Sequence, residues 1–344
     1  MSFYSQSIWQ MIVWFLGLQN IVFEPDVCTI KIRLRRECQN STSDLFRSYY
    51  NSNVSINGCL FSRTVLFSGD GGIIYISNKV LLISIINTVF YECFSSNNGG
   101  AIYSDSMNSS LKNICANRCS AKTYQFAFLW EFNTNIVQFL SMAFCSNDSI
   151  GDYSTRFDGG NQIIENTNSS MNNIKQISGI GTLNPLSFAC SYCHFSNNQV
   201  SSIVCVYFYG KSGTMHHSNV IHNNSPSWGV VSVNNLGSYS MEYCILCNNK
   251  NVLFCVRTTS LQIMDCYISH ETSLLSTSKS VSTINISFTL TEIFNLQFFK
   301  SHSCNADNPI QNSTPYISIT NMVKNPTQYH KWFLTHVLLI PIIF

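Results

Sequence analysis

Two Cys-x-x-Cys pairs, Cys190/Cys193 and Cys244/Cys247, have the spacing to hold a metal. Four thiolates from two such pairs can close a tetrahedral zinc site. A second constellation is ionisable: Asp148, Asp152, Arg156 and Asp158 gather within NDSIGDYSTRFDGG. Clustered carboxylates beside a guanidinium could bind calcium or carry acid–base work on a sugar chain. A third is HHSNVIH, where His216, His217 and His222 could ligate a metal or act as a base.

Each has a plainer reading, set by the elements that must carry it. Cys193, Cys244 and Cys266 each stand two residues before an apolar position of a recurring phrase, and Cys115, Cys145 and Cys247 each stand one after. That phasing predicts stacked interior or corner positions, as thiols or as disulfides between neighbouring turns, in preference to zinc. The acidic cluster falls where the repeat is interrupted, so a loop excursion over about 148–185 is expected. Neither the Gly-His-Gly nor the Arg-Ile-Lys signature of galacturonan hydrolases is present. The histidines read as a solvated turn, and no cofactor is implied.

The phrase itself is a Cys or aromatic, an apolar residue, two small or polar residues, then Asn. It runs CFSSNN, ICANRC, FCSNDS, CHFSNN, VIHNNS and ILCNNK. Its apolar anchors are Phe94, Ile114, Phe144, Phe195, Ile221 and Leu246, with a degenerate successor at Ile268. The intervals scatter about one period near 25 or, between Phe144 and Phe195, about two. Most copies precede a β-rich run bounded by Ser, Asn or Gly: GGAIYSDS, YQFAFLW, SSIVCVYFYG, WGVVSVNN and NVLFCVRTT. The pattern predicts an all-β, right-handed, single-stranded parallel β-helix whose anchors form one inward stack. Asparagines are expected to hydrogen-bond from turn to turn, and KIRLRRE (31–37) to form a strand with its basic face outward at one end.

The corner SSNNGGAIYSDS, with its partial copy SGDGGIIYIS, adds a resemblance. Phe94, Asn97, Gly99, Gly100, Ala101 and Ile102 resemble the paired Phe-x-x-Asn and Gly-Gly-Ala-Ile motifs of the polymorphic outer-membrane protein repeats, also found in trichomonad-type surface proteins. Gly71 and Gly72 begin the partial second copy, and the other turns keep only the Phe-x-x-Asn half. The resemblance implies a right-handed parallel β-helix at a cell surface, associated with adhesion. No C-terminal barrel signature accompanies it.

Composition bounds the rest. Hydrophobic residues make up 45% and charged residues only 10%, against about 25% in ordinary soluble domains, so the chain must bury a core yet carries few ion pairs. A net charge of +2 excludes nucleic acid as an announced partner. The 15 cysteines and the sequons at Asn40, Asn53, Asn108, Asn147, Asn168, Asn223, Asn285 and Asn312 suit an extracellular or cell-surface protein. Residues 1–27 form an apolar N-terminal segment, read as a signal or a cap. The β-helix is expected over 28–310, with a tail over 311–344 whose apolar end is too short for a full span but offers membrane contact. The leading expectation is a non-catalytic surface or secreted protein contacting protein or glycan on a host cell or matrix. The alternatives are a carbohydrate-active β-helix lyase or hydrolase, and a fragment of a larger surface protein.

Overall fold

The computed structural model describes residues 53–146, 151–235, 237–269, 281–289, 293–296, 298 and 299, and the backbone of four strands between residues 21 and 47. The N-terminal apolar stretch, Asp148 and the C-terminal tail lie outside the described residues. Among those described there is no helix, and parallel strands stack as a β-solenoid of about eight turns. Successive turns take between 29 residues (Val54 to Ile83) and 20 (Leu261 to Val281). The strand Thr29–Ile32, which overlaps the expected basic strand only at Lys31 and Ile32, pairs in parallel with Asn53–Asn57 at the N-terminal end and antiparallel with Ile21–Phe23.

Each turn contributes to three faces. Around one turn these are Ser187–Ser191, His194–Ser196 and Val204–Tyr209, and each pairs with its counterpart a turn earlier and a turn later. Alternate side chains point inward, because strand side chains have a period of two. On the first face Ile56, Ile85, Leu111, Val137, Ile164, Cys190, Met215, Met241 and Ile263 form one buried column. On the second face the column is Phe61, Phe90, Ala116, Met142, Ser169, Phe195, Val220, Leu246 and Ile268. The β-rich runs seen in the sequence all lie on the third face.

This corrects the single-stack expectation. Phe195, Leu246 and Ile268 do share a column, but their neighbour is Val220 and not Ile221, which faces the opposite side of the sheet against Cys247. Ile114 stands one corner away, packed over Leu140. Phe94 is 36% exposed, on a short strand between Val65 and Ser120, and Phe144 occupies a corner with φ of 54°. Residues 151–185 are no excursion either: Tyr153–Asp158, Asn161–Glu165 and Asn168–Ser170 lie in register with the turns on both sides.

Two corners per turn explain the abundance of Asn and Cys together. At the first, the left-handed backbone recurs at Gly58, Asn87, Asn113, Phe139, Asn166, Tyr192, His217, Tyr243, Asp265 and Asn285. At the second it recurs at Arg63, Glu92, Arg118, Phe144, Met171, Asn197, His222 and Asn248. Gly, Asn and Asp reach this conformation at least cost. The residue that follows turns inward, and where it is Cys, Ser or Thr it donates to the carbonyl two residues back: Cys59 to Asn57, Thr88 to Ile86, Cys193 to Ser191, Ser218 to His216, and Cys266 to Met264. A thiol suits the site because it is a weak donor on a small, otherwise apolar side chain.

After the second corner, one column changes chemistry along the axis. Thr64, Cys93, Cys119 and Cys145 occupy it first, then Asn172, Asn198, Asn223 and Asn249. The asparagines form a buried ladder. Asn198 Oδ1 accepts from the Asn172 backbone N–H at 3.1 Å, Asn223 Oδ1 from Asn198 N–H at 3.0 Å, and Asn249 Oδ1 from Asn223 N–H at 2.9 Å. Each carboxamide also reaches back, as Asn198 Nδ2 does to Ser169 O at 2.8 Å. Asn198→Ala strips partners from two buried backbone groups, so a loss of about 2–3 kcal/mol is expected. The exposed Asn133→Ala, where the backbone is not left-handed, should stay within about 0.5 kcal/mol. Thermal melts compare the two, and equal melting temperatures would show that the ladder contributes nothing.

Candidate functional site

The described outer surfaces differ in chemistry. Outward positions of the first face are small or polar along much of its length, with Ser55, Ser84 and Ser110 in one column and Thr214, Ser240 and Gln262 further on. The outer side of the second face is crossed by residues 293–296, 298 and 299. Phe294 packs against Ile221 and Ile245, Phe298 approaches the His194 ring at 5.7 Å, and Phe299 packs on Val89 and Cys115. Asn219 Nδ2 donates to Phe294 O at 3.0 Å, and Ser141 Oγ donates to Phe299 O.

The third face is aromatic. Its outward columns, in register from turn to turn, are Tyr75, Tyr103, Phe128, Arg156, Gly181 and Tyr207, and beside them Asp105, Trp130, Asp158, Leu183, Tyr209 and Asn234. Rings touch without interruption from Tyr75 to Tyr103 (5.2 Å), Phe128 (5.2 Å), Trp130 (6.5 Å) and Phe132 (6.3 Å). Trp130 is 46% exposed and Phe132 50%, so the run ends as a platform in solvent.

Arg156 fixes the centre of this face. Its Nε and Nη2 donate to the Asp158 carboxylate at 3.1 and 2.5 Å, and Nη1 donates to Tyr124 Oη at 2.9 Å. The guanidinium lies 5.3–5.5 Å from the ring centres of Tyr124, Phe128 and Tyr153. Burial raises the Asp158 carboxyl against the pull of Arg156. It also pushes the Tyr103 phenol up to about 12. Arg257 repeats the motif, 3.5 Å over the Trp228 ring.

Of the acidic candidates, then, the structure joins Arg156 and Asp158, which point the same way two residues apart on one strand. Asp152 sits at the preceding corner, where its Oδ1 accepts from Gln176 Nε2 at 2.5 Å. The cysteine pairs do not converge. Cys190 lies in the first-face column, and Cys193 and Cys244 in a corner column separated by Ser218. Cys247 lies on the opposite side of the second sheet with Ile221. Among the described residues no three His, Cys, Asp or Glu side chains gather as a metal site, eleven cysteines are buried thiols, and Cys115 is disulfide-bonded. His217 stacks between Tyr192 (5.3 Å) and Tyr243 (5.1 Å) on the outside of the first corner, and His216 lies opposite Glu242 on the next strand. The sequons at Asn168 and Asn223 are fully buried and cannot carry glycan on the folded chain.

In the Gly-Gly corner, Gly99 takes φ of 62° directly above Gly71 at 65°, and Ala101 and Ile102 turn inward. Asn97 Nδ2 donates to Asp70 Oδ1 at 2.6 Å, so the two Gly-Gly corners are tied by their own side chains. The aromatic columns escaped the sequence reading because each turn contributes one or two rings at unequal spacing. A parallel β-solenoid with one aromatic outer face is the class that fold and surface define. No family model, curated protein or solved structure matches the chain.

Proposed function

We propose that the protein is a non-catalytic, extracellular or surface-displayed solenoid that contacts a host cell or matrix through its third face. The observation that carries this reading is the unbroken ring run from Tyr75 to Phe132, ending in the exposed Trp130 and Phe132. Large apolar side chains exposed next to one another mark contact surfaces, whereas scattered ones do not. The resemblance of the Gly-Gly-Ala-Ile corner to surface-protein repeats points the same way.

The disposition of carboxylates on this face supports binding over turnover. Asp158 is held by Arg156, and Glu131, on the strand beside Asp105, has its side chain inside the solenoid. A glycosidase needs two carboxyl groups facing one bond, and among the described residues of the two outward columns Asp105 is the carboxylate not engaged by Arg156.

Trp130→Ala/Phe132→Ala removes two half-exposed rings, so the melting temperature should hold while attachment of the purified chain to cultured cells or matrix falls at least tenfold. Tyr192→Ala/Tyr243→Ala, at the first corner, should attach like the wild type. Absence of attachment by the wild-type chain, or attachment unchanged in the Trp130/Phe132 variant, would overturn the reading.

A further inference from the structure

We infer that the third face binds a linear, uncharged glycan lying across the solenoid axis, over Trp130 and Phe132 on one strand; this rests on the contact-face reading above. Trp130 stands between Asp105 and Asp158 in one column, with a carboxylate on the strand to each side of the indole. A flat ring with a carboxylate acceptor at one edge, Asp105, matches a sugar ring, which offers C–H groups on its face and hydroxyl donors at its edge, while Asp158 at the other edge is taken up by Arg156. Phe132, stacked on Trp130 at 6.3 Å and 26°, extends the platform.

One atom points to a missing donor. Asp105 Oδ1 is buried and accepts no hydrogen bond. A buried acceptor without a partner is costly, and rotation of the half-buried carboxylate about χ2 would bring this oxygen to a hydroxyl seated against Trp130. Burial also holds the Asp105 carboxyl above the usual aspartate value.

The other occupants fit less well. A peptide binding by strand addition needs a free edge, and the strands bearing Asp105, Trp130 and Asp158 are paired on both sides. Nucleic acid or a sulfated glycan needs excess positive charge, whereas Arg156 is already neutralised by Asp158. A bilayer would have to desolvate the Asp105 carboxylate.

The test is calorimetry of the full chain against cello-, xylo-, manno- and chitohexaose, with heparin as the charged comparison. At least one neutral hexasaccharide should bind, Trp130→Ala should weaken it at least tenfold, and Asp105→Asn should weaken it severalfold, both with unchanged melting temperature. Binding of heparin alone, of none of the four neutral sugars, or equally by the Trp130→Ala chain would overturn the inference. Cell attachment separates the two levels. Attachment that needs Trp130 and Phe132 but survives periodate oxidation of the cell surface would sink the glycan and leave the contact face standing, and no attachment at all would sink both.

Discussion

Gly100→Val is expected to destabilise the solenoid by more than about 3 kcal/mol, whereas Gly58→Asn should be nearly neutral. Both glycines lie at corners, and they differ in what surrounds them. A Cβ on Gly100 would overlap the carbonyl oxygen of Gln125 and stand 2.6 Å from that of Ser120, so backbone on the next turn would have to move. Overpacking costs about 1–3 kcal/mol when side chains can yield, and here the obstacles are main-chain atoms fixed by parallel pairing. Gly58, with φ of 70°, has open space around it and occupies the column that Asn87 and Asn113 fill in the next two turns. Its left-handed backbone is one that Asn adopts readily. Urea unfolding of the two variants gives the comparison, with attachment measured per folded molecule. A Gly100→Val chain of undiminished stability that no longer attaches to cells would instead place the Gly-Gly corner in the contact surface.

That corner shows how far the sequence carries. The Gly-Gly pair, the period near 25 and the β-rich runs of the third face are all legible, because each depends on residue type at a coarse spacing. The inward register is not. A one-residue slip in a strand sends every side chain to the other face, and the phrase keyed on Asn gives two possible anchors wherever two asparagines follow one another. VIHNNS places Ile221 three residues before Asn224, but the ladder uses Asn223, three after Val220. Further up the axis the same column holds Cys93, Cys119 and Cys145, so a reading that looks for Asn slides off it. Thiol and carboxamide share no sequence signature, yet both cap backbone groups inside a tight corner.

The same limit governs the site. Arg156 and Asp158 are visible as a pair because they are two apart on one strand, with side chains on one face. Trp130, which belongs between Asp105 and Asp158, is 25 residues from one and 28 from the other. Only the stacking of turns makes these residues neighbours.

Between pH 6.5 and 8 the wild-type chain should lose about 2 kcal/mol more stability than Glu131→Gln, while the buried thiols, which keep their protons in the folded chain, lower both curves alike. The Glu131 side chain points into the solenoid, where Oε2 accepts from Ser106 Oγ and Oε1 has no partner. Burial raises its pKa from 4.5 to about 8, with Ser106 and Ser104 pulling the other way. In the unfolded chain the group loses its proton near the lower value, so from there up to about 8 the folded state binds more protons. Stability therefore falls as pH rises, by at most about 1.4 kcal/mol per pH unit. His194 carries the opposite sign. Burial lowers its pKa from 6.5 to about 4, the unfolded state binds the extra proton between those values, and stability rises with pH over that range. From about pH 4.5 to 6.5 the two slopes largely cancel; above 6.5 Glu131 acts without that opposition. The Glu131→Gln carboxamide would keep a carbonyl for the Ser106 hydroxyl and remove the titration. Chemical unfolding at half-unit steps from pH 5 to 8.5 reads both curves. A flat wild-type curve above pH 6.5, or a Glu131→Gln curve that falls in parallel with it, would show that this carboxyl is charged and solvated in the folded protein and that the interior of the solenoid is open to water at this turn.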